Sequence, residues 1–140
     1  MKRVMINKLF RTFSFIVIGG SLYMAIEWLW RGYSHWSMGL LGGVCFILIG
    51  SMHSLKLPLI GQAIAGCLMI TILELSSGLI LNVWLQWGIW DYSHLPFNLF
   101  GQICLLYAFF WLPLSLAAIP LYHELRHLLF RLEKPKYRII

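Results

Sequence analysis

The sequence predicts an all-α, polytopic membrane protein with four transmembrane helices, and three observations predict it. Hydrophobic residues make up 60% of the 140 and charged residues only 11%, more apolar surface than a soluble chain of this length hides from water. Four apolar runs are long enough to cross a bilayer core, which takes roughly 20 residues at 1.5 Å each. Ten of the 11 Lys and Arg residues lie before the first run, between the second and third, or after the fourth. That asymmetry is the signature of cytoplasmic loops and predicts that both termini lie inside.

The first run extends from about Phe13 to Trp30. Lys2, Arg3, Lys8 and Arg11 precede it, as in a signal peptide, but no small-residue cleavage site follows and Glu27-Trp28-Leu29-Trp30 reads as a retained helix end. The second run, from about Met38 to Ser51, is short and is expected to take in Trp36 and Gly39. The third, from about Leu59 to Leu85, is long and is expected to tilt. The fourth goes from about Phe97 to Leu121. Residues 1–122 are therefore read as the transmembrane domain and residues 123–140 as a basic, amphipathic cytoplasmic tail. From the end of the fourth run into the tail, Leu121, Leu125, Leu128, Leu129 and Leu132 recur at helical spacing, with Arg126, Arg131 and Lys134 between them, as in a helix lying along headgroups.

The net charge of +6 sits at the termini. Anionic lipid is the simplest partner for it, and nucleic acid is not expected. Cys45, Cys67 and Cys104 are odd in number and lie in apolar runs, which argues for buried thiols rather than a disulfide framework. Trp28, Trp30, Trp36, Trp84, Trp87 and Trp90 cluster at the outer boundary, and each reads either as part of an aromatic belt or as a packing residue. Gly42-Gly43-Val44-Cys45-Phe46 parallels Gly101-Gln102-Ile103-Cys104-Leu105, each preceded by a helix that ends in an apolar run and a glutamate. This reads either as two repeated helical hairpins or as chance likeness among apolar helices. Small residues at Gly39, Gly43 and Gly50 suit close helix contact, and an oligomer or a second membrane subunit is expected.

Polar groups inside so apolar a chain mark the candidate site. Glu27 and Glu74 each lie about 22 Å from the inner end of their helix at 1.5 Å per residue, where a carboxylate faces a bundle interior or a water-filled cavity. Arg31, four residues on, offers Glu27 an intrahelical ion pair. Glu74 has no basic neighbour at helical spacing, only Ser77 and Gly78 one turn on. Between the third and fourth runs, Trp90-Asp91-Tyr92-Ser93 and Pro96-Phe97-Asn98 lead into Gly101-Gln102. Pro96 suits the first turn of the fourth helix, and Asn98 and Gln102 would then share one face. The segment reads either as a capped loop folded into the bundle or as an outward-facing vestibule. The vestibule would bind a small solute or cation through Glu74, Asp91, Asn98 and Gln102, with Glu27 and Tyr92 beside them.

These residues carry a resemblance. The early glutamate, Glu74 followed by Gly78, and the Asp91-Tyr92-Ser93, Pro96-Phe97-Asn98, Gly101 and Cys104 series resemble the ABC-transporter type IV family of membrane proteins, from about Gly20 to Leu121. The resemblance implies a transport permease. In that family arginine is common after the glycine, so Gln102 departs from the pattern and removes a cation that would face Glu74 or Asp91. No Gly-rich stretch ends in Gly-Lys-Ser/Thr, so any ATPase would be a separate subunit.

The expected function is thus a transport-associated membrane protein of permease type, in the inner membrane of a bacterium, with no cofactor. One rival is a non-transporting structural or regulatory membrane subunit. A remoter one is a zinc metalloprotease, since His123-Glu124-Leu125-Arg126-His127 matches H-E-x-x-H. That motif lacks a clear third ligand and falls in a juxtamembrane segment where His and Arg are expected as headgroup-facing residues. The chain is therefore not expected to be an enzyme.

Overall fold

The computed structural model describes residues 2–140. Its helices are α1 (Lys2–Arg31), α2 (Trp36–Ser51), α3 (Leu59–Gly78) and α4 (Leu105–Phe130). A 3-10 turn at Met52–Leu55 follows α2, and a π-helical segment at Leu79–Trp84 follows α3. Strands β1 (Asn98–Leu99) and β2 (Ile103–Cys104) form a two-rung antiparallel hairpin. Four helical spans, Arg3–Arg31, Trp36–Leu55, Leu59–Trp84 and Leu105–Phe130, are long and apolar enough to cross a membrane, the second taking in the 3-10 turn and the third the π segment. The protein is an all-α integral membrane protein.

Two compact units divide the chain. Residues 1–51 and 120–135 form the first; residues 52–119 and 136–140 form the second.

In the first unit, α1 and α2 approach at backbone distance because glycines face each other. A Cβ on Gly20 would collide with the carbonyl oxygen of Gly39, and one on Gly43 with that of Ile16. The glycines expected to suit close helix contact make it within the chain: Gly39 also lies under Met24, and Gly50 under the Tyr122 ring. Close approach of this kind supplies the packing that association in lipid depends on, where no hydrophobic effect operates between helices. Phe15, 1% exposed, is the centre of an aromatic cluster with Phe46, Tyr122 and Phe130, its ring 4.6 Å from that of Tyr122.

The fourth run begins later than its hydropathy predicts. Pro96 opens no helix. Phe97, Phe100 and Gly101 all have φ near +54° to +67°, so residues 97–104 fold back as the hairpin and α4 starts only at Leu105. Asn98 and Gln102 accordingly do not share a helix face. At its other end α4 continues unbroken past Pro120, through Leu121 and Tyr122, to Phe130. It ends where Arg131 turns to φ 52° while donating its amide to His127 O. Residues 131–140 are not helical. Within the second unit the chain end returns to the start of α3, where the amides of Leu59 and Ile60 donate to Arg138 O and Ile139 O at 2.7 and 3.4 Å. Those are two of the amides that a helix start leaves without intrahelical partners. The long third run is α-helical to Gly78 and π-helical over Leu79–Trp84.

The two parallel segments differ in conformation, residues 42–46 being helical and 103–104 extended. Five of the six boundary tryptophans are exposed, but Trp90 is 4% exposed and belongs to the core. Cys45, Cys67 and Cys104 are free thiols.

Candidate functional site

The protein-facing stripe of α3 repeats every fourth residue: Gln62, Gly66, Ile70, Glu74 and Gly78 are all buried. Glu74 is 3% exposed. The Tyr92 hydroxyl donates to its Oε1 at 3.2 Å and the Trp111 indole N–H donates to its Oε2 at 3.0 Å. The Tyr92 ring stacks on that of Tyr107, with centroids 4.9 Å apart and planes 21° apart. Tyr107 and Trp111 are one turn apart on α4, so one helix face presents both rings. Each carboxylate oxygen thus takes a hydrogen bond from an aromatic side chain.

One turn beyond, Gln102 is 5% exposed and bonds in three directions. Its Oε1 accepts from Asn82 Nδ2 at 2.8 Å, its Nε2 donates to Phe100 O at 2.9 Å, and its main-chain oxygen accepts from Trp90 Nε1 at 2.9 Å. Asn82 Oδ1 accepts from the amide of Ile89 at 2.7 Å. Gly78 makes the room: a Cβ there would stand 2.6 Å from Gln102 Oε1 and 3.0 Å from the Trp90 ring. Gln102 therefore fastens the loop to the π segment and turns its amide to Asn82 and Phe100.

Asn98 and Asp91, both exposed, shape the loop. Asn98 Nδ2 donates to Leu95 O at 2.9 Å and Ser93 O at 3.3 Å, and its Oδ1 accepts from the Gly101 amide at 3.0 Å. Asp91 Oδ1 accepts from the Ser93 amide at 2.8 Å. The Ser93 hydroxyl first, and then that amide, hold the Asp91 carboxyl below the usual aspartate range, with His94 adding a smaller pull. Glu27 belongs to the first unit. It forms the expected pair with Arg31 at 2.9 Å and also accepts from the Ser34 hydroxyl at 2.7 Å.

Of the six residues singled out, the structure brings Glu74 and Tyr92 into direct contact. It places Asp91, Asn98 and Gln102 in the hydrogen bonding of the loop. Sequence reasoning missed Trp111 and Asn82, and left Trp90 open between a belt and packing, which the fold resolves as packing. A lone amide in an apolar run is itself a signal for Asn82. Trp111 carries none, because its indole N–H finds its partner only in the tertiary fold.

The H-E-x-x-H residues are otherwise engaged. His123, expected to face headgroups, is 2% exposed, and its ring meets that of Tyr122 edge-on at 5.3 Å. Glu124 pairs with Lys134 at 2.9 Å, and His127 Nδ1 lies 2.9 Å from Leu132 O. Among the described residues no three His, Cys, Asp or Glu side chains are grouped to hold a metal ion.

With this geometry in view, the sequence profile of the family described as "Putative ABC-transporter type IV" matches residues 37–140. The chain belongs to this family. The match takes in α2, the Glu74 stripe, the loop with Asp91, Asn98 and Gln102, and all of α4. It starts later than the resemblance noted above and continues beyond it to the last residue. No curated protein and no solved structure matches the chain. As a member of an ABC-transporter-related family with four membrane-spanning helices, the protein is a transport-associated membrane protein.

Proposed function

We propose that the protein is a permease-type membrane component in which Glu74 is the solute-facing group. The observation that carries this reading is a carboxylate buried within a membrane helix and hydrogen-bonded by Tyr92 and Trp111. Ionisable groups are costly within a bilayer and mark solute or ion pathways there. A carboxylate suits a solute that brings positive charge or hydrogen-bond donors. Asp91, Asn98 and Gln102 shape the loop over it, and Glu27 serves the Arg31 pair. In this reading both termini are cytoplasmic, the Trp90–Cys104 loop faces outward, the membrane is a bacterial inner membrane, and energy comes from a separate ATPase subunit.

The test is uptake of a panel of small radiolabelled cations, amino acids and sugars by vesicles containing the protein. Uptake of one solute class that Glu74→Gln abolishes, with the variant still inserted and folded, supports the reading. Uptake unchanged by Glu74→Gln, or no uptake of any class, overturns it.

A second reading, a non-transporting structural or regulatory membrane subunit, is favoured by one observation. Asn98 and Gln102 direct their amides to partners within their own unit. Loss of folding in Glu74→Gln would support this reading.

A further inference from the structure

Phe97 and Phe100 of the hairpin both hold a backbone φ of 54°. That left-handed region suits Gly, Asn and Asp, and it is unfavourable for a bulky side chain. The rings do not repay this by packing inside. Phe97 is 81% exposed and Phe100 70%, with Leu99 between them at 46%. Residues that strain the backbone and stay out of the core point to a contact outside the chain.

The backbone beneath the rings is prepared to leave bulk water. Phe97 O accepts from the Leu105 amide at 3.3 Å, Leu99 O from the Gln102 amide at 3.0 Å, and Gly101 O from the Tyr92 amide at 2.7 Å. Side chains serve further carbonyls: Asn98 Nδ2 that of Leu95, Gln102 Nε2 that of Phe100, and Trp90 Nε1 that of Gln102. A loop in water can take such donors from solvent, whereas close to acyl chains an unserved carbonyl is costly.

The place of the hairpin beside α4 decides what covers the rings. The Leu105–Phe97 bond sets Phe97 level with the first residue of α4. The first turns of this spanning helix expose Leu105, Leu106 and Phe109, and the hairpin tip continues that lipid-facing surface. No charged residue lies between Leu95 and Tyr122. The helical part of that stretch, from Leu105 to Tyr122, is about 27 Å long, against about 30 Å of hydrocarbon. With Glu124 and Arg126 kept out of the acyl chains, the far edge of the hydrocarbon falls at or just beyond Leu105. That is the level of Phe97.

We infer that the Phe97–Phe100 tip is a membrane anchor. Its backbone lies at the boundary between headgroups and acyl chains on the loop's own side, and the two rings insert among the acyl chains next to α4, as the apolar face of an interfacial segment does. Asp91 and Ser93, both exposed, remain on the water side. The anchor is independent of any solute and of the role proposed for Glu74.

The test uses the full-length protein in lipid nanodiscs, with Phe97→Cys or Phe100→Cys labelled with bimane. Label taken up by the native thiols of the unsubstituted protein is subtracted. Quenching is read with lipids that carry a doxyl group near the headgroup end of the acyl chain, and with aqueous iodide. Phe109→Cys is the lipid reference and Ser93→Cys the water reference. Labels at both phenylalanine positions should follow Phe109, with doxyl quenching several-fold stronger than at Ser93 and iodide quenching several-fold weaker. Iodide quenching as strong as at Ser93 would overturn the anchor. Exclusion of both quenchers would mean that a second copy or another membrane subunit covers the tip, and would overturn the lipid assignment. If Phe97→Cys does not fold, Phe100→Cys decides. The rings are tested by Phe97→Asn with Phe100→Asn, read from a label on Leu99→Cys. Asparagine accepts the left-handed backbone but not the acyl chains, so doxyl quenching at this label should fall several-fold. Unchanged doxyl quenching would overturn the rings as the anchor.

Discussion

The indole N–H of Trp111 on α4 donates to the carboxylate of Glu74 on α3 at 3.0 Å, across 37 residues of chain. With the Tyr92 hydroxyl on the other oxygen, it makes the Glu74 environment asymmetric. The tryptophan can only donate, whereas the tyrosine can donate or accept.

That asymmetry predicts how substitutions behave. Glu74→Gln can direct its Oε1 to Trp111 and its Nε2 to the Tyr92 oxygen, so the fold should survive and the charge alone be lost. Glu74→Leu removes both bonds and takes the acceptor from the part-buried Trp111 indole N–H, at a cost of about 1–3 kcal/mol. Reversible unfolding in mixed micelles should rank unsubstituted protein and Glu74→Gln close together and Glu74→Leu well below.

Gly78→Ala should destabilise the second unit although alanine favours a helix. The added Cβ meets Gln102 Oε1 at 2.6 Å, Gln102 Cβ at 2.8 Å and the Trp90 ring at 3.0 Å, and overpacking costs about 1–3 kcal/mol. The same unfolding assay reads it. A neutral outcome would mean that the Gln102 clamp shifts freely.

Asn98→Ala should loosen the loop without unfolding the helices. It deletes two donated bonds and one accepted bond that hold residues 93–101, each worth roughly 0.5–1.5 kcal/mol. Amide hydrogen exchange should rise at Gly101, which loses its acceptor, and remain unchanged along α1 and α2.

The loop should also respond to acid. The Asp91 carboxyl is lower in the folded protein than its ordinary value, first through the Ser93 hydroxyl and then through the Ser93 amide. A lowered carboxyl stabilises the folded loop above the ordinary aspartate value of about 3.9 and loses that contribution as pH falls through the lower folded value. The Ser93 amide resonance should therefore titrate below the usual aspartate range, and Asp91→Asn should abolish the titration.

Topology is checked by labelling. With ten of 11 basic residues near the two termini or in the Ser51–Leu59 connection, a cysteine at Ser93 should react with an impermeant thiol reagent from outside. Reporter tags at both termini should read cytoplasmic. Labelling of Ser93 only after the cytoplasmic side is opened would reverse the proposed orientation.

Four spanning helices and the Glu27–Arg31 pair are legible in the sequence because both depend on short-range physics. Hydropathy over some 20 residues decides what enters lipid, and residues four apart on a helix meet whatever the rest of the chain does. The same local reasoning fails from Pro96 to Cys104. There an apolar run with a proline at its start looks like a helix entry, yet three positive φ values and the side chain of Asn98 close a hairpin. Hydropathy registers the apolarity of Phe97, Leu99 and Phe100 but not the backbone conformation that turns them outward, where they are 81%, 46% and 70% exposed.

The candidate site divides along the same line. Glu74 stands out in the sequence because a carboxylate in an apolar run is expensive wherever it points. Its partners depend on which helix face meets which. Tertiary packing alone selects Trp111 rather than another tryptophan, sends Gln102 to Asn82 and away from Glu74, and leaves Gln62 and Ser115 as buried acceptors without donors. Sequence by itself determined the solvent this chain folds in and the charge it carries there. The fold decided the company each polar group keeps, because hydrogen bonds across 20 to 40 residues depend on angles and separations that no local pattern encodes.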